Sequence, residues 1–316
     1  MYRNKKIDSI KGVLIFLVVF GHFLESMIGW KGNNSSALLH VIYSFHMPFF
    51  ILISGYFFSV NNFNRKFLGV LFVYIIYQTI YTLPAIINGT LSYRYFYEPN
   101  WIMWFLMSTL FWMSITKFIK NITLSVIIVS IICSLLVSMC HIDGHILSYM
   151  RTIVFYPFFI IGLYLKQRNI GVDSVSRLRV IPLILIFILF TSIFLYFDVD
   201  KWVLFGLYSY NDAGYTDVEG VLLRLFVFSY SALIIILLSR IIKESNILSY
   251  IGERSLSIYL THGIIVIVLN KFIHLNDSVT SVILVLLLSI AVTFVLSLNI
   301  IEKCNRYIYS LGFIKK

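Results

Sequence analysis

The chain has 316 residues, of which 59% are hydrophobic, 17% aromatic and only 12% charged, which is far too apolar for a soluble domain. Its formal charge of +11 is spread over many short polar stretches, which argues against a nucleic-acid partner. Cys133, Cys140 and Cys304 show no metal-ligand spacing and no disulfide framework, and read as packing residues.

Apolar runs long enough to cross a hydrocarbon core of about 30 Å recur along the whole sequence. They predict an all-α, polytopic integral membrane protein: a single transmembrane domain over residues 1–316 with ten spanning helices. The first span, Ile10–Ile28, carries Lys11 near its start and His22 eleven positions on. At about 100° and 1.5 Å per residue the two share one helical face, roughly 16 Å apart along the axis. Ionisable groups inside a bilayer are costly and face protein or a wet cavity, which makes His22 a functional candidate. Glu25 follows three residues later on the same face, within reach of the ring. The span is too long and too polar at its end for a removable leader and is expected to stay.

The second span, Ala37–Val60, descends from outside and brings His46 to a depth similar to that of His22, roughly 13 Å below the outer surface. Pro48 cannot donate to the carbonyl of Ser44, so that carbonyl is freed; Ser54 and Gly55 read as a close-packing pair. Arg65 and Lys66 follow at the cytoplasmic mouth, ahead of the third span, Phe67–Ile87. Trp101 and Trp104 open the fourth, Trp101–Ile119, where an aromatic residue can anchor at the interface or stack on a sugar. Ile122–Cys140 comes next. Arg151 lies near the outer end of Ile146–Leu165, placed either to snorkel or to hold a saccharide or oxyanion. After Val180–Phe197, the outer segment 198–219 combines acids with Trp202, Tyr208, Tyr210 and Tyr215, a composition suited to carbohydrate or to a lid.

On the last three spans, Gly220–Ser239, Leu256–Ile273 and Val279–Ile301, Arg224 reads as snorkelling and His262 as a helix-to-helix hydrogen-bonding residue. His40, His141, His145 and His274 fall at or near the outer surface. With the amino terminus inside, all but six of the 25 Lys and Arg residues (Lys31, Arg94, Arg151, Lys201, Arg224 and Lys271) fall on the cytoplasmic side. Both termini are therefore expected in the cytoplasm, and anionic lipid or an anionic cofactor is expected at the inner face.

The motifs keep the order Asp8-Ser-Ile-Lys-Gly with His22, then Phe45-His-Met-Pro-Phe-Phe-Ile-Leu-Ile-Ser-Gly, then Trp101-Ile-Met-Trp-Phe-Leu. Arg151 ahead of Phe155-Tyr-Pro-Phe-Phe-Ile-Ile-Gly162 follows, and then Ile251-Gly-Glu-Arg-Ser-Leu-Ser-Ile-Tyr-Leu-Thr-His262. Together they resemble the membrane acyltransferase-3 family, especially its compact branch related to fucose O-acetylases. The resemblance implies ten membrane helices in a bacterial cytoplasmic membrane, acetyl-CoA as donor, no metal, and transfer to a hydroxyl of a sugar or envelope glycan, in the company of polysaccharide-synthesis machinery. It also implies an essential role for the first-helix histidine, His22. Lys11 stands where the family often has Arg, Arg65 and Lys66 where it often has paired arginines, and no acid follows Trp104-Phe-Leu.

Acyl transfer needs a base for the hydroxyl proton, a cradle for the oxyanion and a hold on the thioester. His22 suits the first, with Glu25 to orient or charge-stabilise its ring. Lys11, Arg65 and Lys66 suit a polyanionic nucleotide at the inner mouth, and His46, Trp104 and Arg151 suit the acceptor. A transporter or flippase for a lipid-linked saccharide or organic acid would share midplane polar groups, a Pro-broken helix and basic mouths.

Overall fold

The structure is a computed structural model that describes residues 4–30, 32–171, 180–197 and 199–312. Arg3, Lys31, Arg177, Arg179, Asp198, Lys315 and Lys316, which entered the charge reading, lie outside the described residues. Among the described residues there is no strand. Thirteen α-helices follow one another among these residues: α1 (Lys5–Met27), α2 (Asn33–Phe57), α3 (Phe63–Ile87), α4 (Trp104–Lys117), α5 (Leu124–Leu136), α6 (Tyr149–Gln167), α7 (Val180–Tyr196), α8 (Lys201–Phe205), α9 (Asp217–Ile241), α10 (Asn246–Glu253), α11 (Ser255–Leu269), α12 (Val279–Leu296) and α13 (Asn299–Gly312).

All ten apolar segments read from the sequence are helical. Six described helices are long and apolar enough to cross a membrane: α1, α2, α3, the Ile146–Gln167 segment that ends in α6, α9 and α12. A further pair, α10 and α11, is bent by 73° at its break. The α4 and α5 helices have 14 and 13 residues, short of the about 20 that a straight span needs.

The chain forms two compact units, each assembled from discontinuous segments. The first comprises Met1–Phe50, Gly171–Val199 and Val227–Asn305, and the second Ile51–Ile170, Asp200–Phe226 and Arg306–Lys316.

In the first unit α1 is the central element, packed against α10, α11 and α12. Ile10, Leu14, Val19, Phe23 and Leu24 are fully buried on it. Its start is set by Asn4, whose side chain accepts from the Ile7 amide at 3.1 Å. A Cβ on Gly12 would meet the carbonyl oxygen of Leu248, and one on Gly252 that of Asp8, so α1 and α10 approach backbone to backbone through a reciprocal pair of glycines. The free amides at the start of α2 are held by Asp277, whose carboxylate accepts from Asn34 and Ser35 at 3.0 Å each. The Ser44 carbonyl freed by Pro48 accepts from the Ser231 hydroxyl of α9.

In the second unit α4, α5 and α6 pack together. Trp112 donates its indole N–H to the Thr152 carbonyl at 2.7 Å, and Ser108 and Thr152 share a 2.8 Å contact. Gly55 lies against the Phe159 carbonyl with no room for a side chain, as expected of a close-packing residue. Buried Gln78 ties α3 to the following loop through the Glu98 carbonyl at 2.9 Å and the Asn100 amide at 2.8 Å.

The structure corrects three expectations here. Arg224 does not snorkel: it is 1% exposed and donates to the Val203 carbonyl at 2.6 Å and to Ser138 Oγ at 3.2 Å. Tyr210 is buried, its hydroxyl on the Leu135 carbonyl and its amide on that of Ser138, so part of the outer aromatic segment serves packing. The three cysteines are free and exposed rather than packed.

Candidate functional site

The first unit gathers a half-buried polar, aromatic cluster beside the apolar core around α1. His22 and Glu25 sit one turn apart on α1, and Tyr43 comes from α2. The Tyr43 hydroxyl donates to Glu25 Oε2 at 2.5 Å and lies 3.1 Å from His22 Nδ1. The Trp30 indole donates to the other carboxylate oxygen at 2.9 Å. His22 Nδ1 and Glu25 Oε2 are 3.9 Å apart, so the phenol, not direct contact, joins base to acid. A hydroxyl has one proton and a carboxylate only accepts, so Tyr43 spends its proton on Glu25 and receives one from His22 Nδ1. That assigns the tautomer: Nδ1 carries the proton and Nε2 the basic lone pair. The 2.5 Å length fits a charge-assisted O–H···O⁻ bond.

His46 lies one turn beyond Tyr43, buried, with its ring edge-on to Tyr43 at 5.0 Å between centroids. Its Nδ1 donates to the Ile42 carbonyl at 2.6 Å. His262 departs from expectation. In place of a helix-to-helix bond, its Nδ1 meets the carbonyls of Tyr259 and Ile258 on its own helix, at 2.7 and 3.1 Å. Its ring stacks on His22, with centroids 5.4 Å apart and planes 28° off parallel. His40, expected at or near the outer surface of the membrane, is buried within the unit and bonds the Val199 carbonyl through Nε2 at 2.7 Å.

At the other end of α1, Lys11 is ion-paired with Asp8 at 2.9 Å. This i, i+3 pair leaves the phosphate-binding candidate partly neutralised.

The remaining expected residues lie in the second unit. Arg65 and Lys66 are exposed in the first turn of α3, and Lys66 reaches the Ser59 carbonyl at 3.3 Å. Lys166, from the end of α6, donates to the Phe58 carbonyl at 2.7 Å, adding a cation the sequence reading had not associated with this turn. Trp104 and Arg151 come together: the guanidinium lies 5.0 Å from the indole centroid and donates from Nε to the Phe205 carbonyl at 3.2 Å.

Sequence reasoning singled out His22 with Glu25, and Trp104 and Arg151 each by itself; it did not reveal Tyr43 and Trp30 as partners of Glu25, His262 as the neighbour of His22, or the contact between Trp104 and Arg151. The spacing of His22, Glu25 and Tyr43 gives no sign that a phenol from another helix inserts between them. Among the described residues no group of His, Cys, Asp and Glu could hold a metal ion.

A family model described as an acyltransferase domain matches residues 4–298. Among curated proteins, the nodulation protein NolL of Sinorhizobium fredii is 46% identical over 56 residues, 17% of this chain and 15% of that relative. NolL of Mesorhizobium japonicum is 40% identical over 68 residues, 21% of this chain and 18% of that relative. The matched stretches therefore span less than a fifth of either relative's own length. No solved structure matches the chain.

Proposed function

The chain belongs to the acyltransferase domain family, and we propose that it moves an acetyl group from acetyl-CoA to a sugar hydroxyl of an envelope or extracellular polysaccharide, with His22 as general base. The observation that carries this reading is the Tyr43 bridge between His22 and Glu25. It holds the imidazole as the tautomer that presents Nε2, and it places a carboxylate where it can stabilise the ring once protonated.

His22 Nε2 takes the proton of the acceptor hydroxyl while that oxygen bonds to the thioester carbonyl carbon. The carbon–sulfur bond then breaks, and His22 returns the proton to the departing thiolate. Atoms and charge balance with CoA and an O-acetyl ester as products. Tyr43 and Glu25 move no proton to substrate: they fix the ring and offset its charge.

Lys11, Arg65 and Lys66 serve the nucleotide end of the donor in this reading, and Trp104 and Arg151 the saccharide, by stacking and by guanidinium hydrogen bonds. His46, packed edge-on against Tyr43, borders the acceptor. Ten spans with both termini in the cytoplasm of a bacterial plasma membrane would bring CoA to the basic inner face, beside the machinery that makes the glycan.

Purified protein in lipid, supplied with labelled acetyl-CoA and membrane glycan, is expected to label the glycan, and His22→Ala to abolish labelling. Movement of a saccharide across the bilayer with no CoA released would overturn the reading in favour of transport.

A further inference from the structure

One face of α10 borders a cavity. Asn246, Ser249, Tyr250 and Glu253 recur at the spacing of a single helical stripe, and with Lys5 of α1 they line a space of about 410 Å³, a volume that suits a small ligand or a headgroup. All five residues belong to the first unit. The walls are fixed. The Ser245 amide donates to Ser9 Oγ at 3.0 Å, beside the close glycine contact of α10 with α1. Behind the Tyr250 ring, the Arg254 guanidinium lies 3.6 Å from its centroid, and both side chains donate to Asn299 Oδ1, at 3.3 Å from the phenol and 2.8 Å from Nη2. Ser249 is 6% exposed and lines the cavity, yet its hydroxyl makes no hydrogen bond among the described residues, and neither do the Asn246 amide group or the Lys5 ammonium. A polar group so nearly buried is costly to leave unanswered. Hydroxyl, amide and ammonium together offer donors to an anion.

The surroundings say which anion. Ile247 and Leu256 are exposed on α10 and at the start of α11, and so are Leu298 and Ile300 on either side of Asn299. A soluble anion gains nothing from exposed apolar neighbours, whereas a phospholipid brings acyl chains to them. The cavity also adjoins the first turn of α1, a helix long and apolar enough to cross a membrane. We propose that the cavity seats the headgroup of a zwitterionic glycerophospholipid, and so joins α1 to α10 through a lipid. Lys5 supplies the charge for the phosphodiester, and Ser249 and Asn246 donate to its oxygens. Glu253, which already accepts from Arg254 at 3.4 Å, acts through its charge and needs no open hydrogen-bonding position. Its field opposes a net anionic headgroup and favours one that carries an amine beside the phosphate. This inference is independent of the acyl-transfer reading.

The test titrates lipid into the delipidated full chain in detergent and follows the first bound lipid by native mass spectrometry. The probes are phosphatidylethanolamine and phosphatidylglycerol with identical acyl chains. Half-occupancy by the ethanolamine lipid should need about 2- to 5-fold less lipid, the range of an exposed charge interaction. Glu253→Gln should remove that preference by improving binding of the glycerol lipid, and Lys5→Gln should weaken both lipids by a similar factor. Both residues are exposed, so the variants are expected to fold, and size-exclusion chromatography checks that they do. Glycerophosphoethanolamine, the same headgroup without chains, should fail to displace the lipid at equal concentration. Equal binding of the two lipids, a preference that survives Glu253→Gln, or binding untouched by Lys5→Gln overturns the inference. Displacement by glycerophosphoethanolamine would give the cavity to a soluble ligand, and displacement by CoA at equal concentration would give it to a nucleotide; either result also overturns it.

Discussion

Tyr43 stands between His22 and Glu25, 3.1 Å from the imidazole Nδ1 and 2.5 Å from the carboxylate. Because its single proton goes to the acid, the direction of every hydrogen bond in the chain from ring to phenol to carboxylate is fixed. The identity of the basic nitrogen follows from that direction.

Tyr43→Phe removes the link but keeps the ring packing. A hydrogen bond in a charged network is worth about 1.5–3 kcal/mol, so kcat for acetyl transfer should fall about 10- to 100-fold with KM for acetyl-CoA nearly unchanged. Steady-state kinetics at equal amounts of folded protein measure this. Unchanged kcat would show that the phenol only packs.

Glu25→Gln keeps an acceptor for Tyr43 but removes the charge, and a smaller loss is expected than for Tyr43→Phe. If base, phenol and acid act as one chain, Glu25→Gln combined with Tyr43→Phe should cost little more than Tyr43→Phe alone. Fully additive losses would mean two independent contributions.

Gly12→Ala would drive a methyl group into the Leu248 carbonyl, where backbone rather than a flexible side chain must yield. Overpacking of this kind costs about 1–3 kcal/mol. Thermal unfolding in detergent, followed by size-exclusion chromatography, should show a lower midpoint for Gly12→Ala. An unchanged midpoint would mean that α1 and α10 separate freely.

Arg224→Met leaves the Val203 carbonyl and Ser138 hydroxyl without their shared donor. The expected cost is about 1–3 kcal/mol in the same unfolding experiment, and Arg224→Lys should restore little, since one ammonium group cannot reproduce the guanidinium fork. Full stability in Arg224→Met would return the residue to a lipid-facing role.

Asp143 accepts from the His145 amide at 3.0 Å and meets the His145 ring at 2.9 Å. These contacts, the amide first, hold its carboxyl below the ordinary carboxylate range. A depressed acid stabilises the fold above its unfolded value and loses that contribution as pH falls through the folded value. Hydrogen exchange at the His145 amide should therefore stay slow through the ordinary carboxylate range and quicken only below it. In Asp143→Ala it should be fast throughout. Wild-type exchange that quickens within the ordinary range would contradict the assignment.

Hydropathy made the apolar segments legible, because a run such as Val180–Tyr196 has no other stable environment. The span read as Leu256–Ile273 begins where α11 does, but the same signal gave no sign of α10 ahead of it, across the polar residues Glu253 and Arg254. His22 stood out because an ionisable ring amid apolar neighbours is costly without a purpose. Tyr43 and Trp30 did not, since aromatic residues are common in spans and their partner lies on a different helix. Arg224 shows the limit of counting residues from a surface: depth along a helix says nothing about which way a side chain faces. The Lys11–Asp8 pair was visible in its spacing, yet a search for phosphate-binding cations reads the lysine and passes over the acid beside it.

The protonation of His22 in the resting protein tests the account most directly. Protein labelled with ¹⁵N-histidine in lipid, compared with His22→Gln to assign the signals, should show a protonated Nδ1 and a bare Nε2 at His22, and Tyr43→Phe should release that preference. A resting His22 with its proton on Nε2 would contradict the bridge through Tyr43, and with it the assignment of His22 Nε2 as the base.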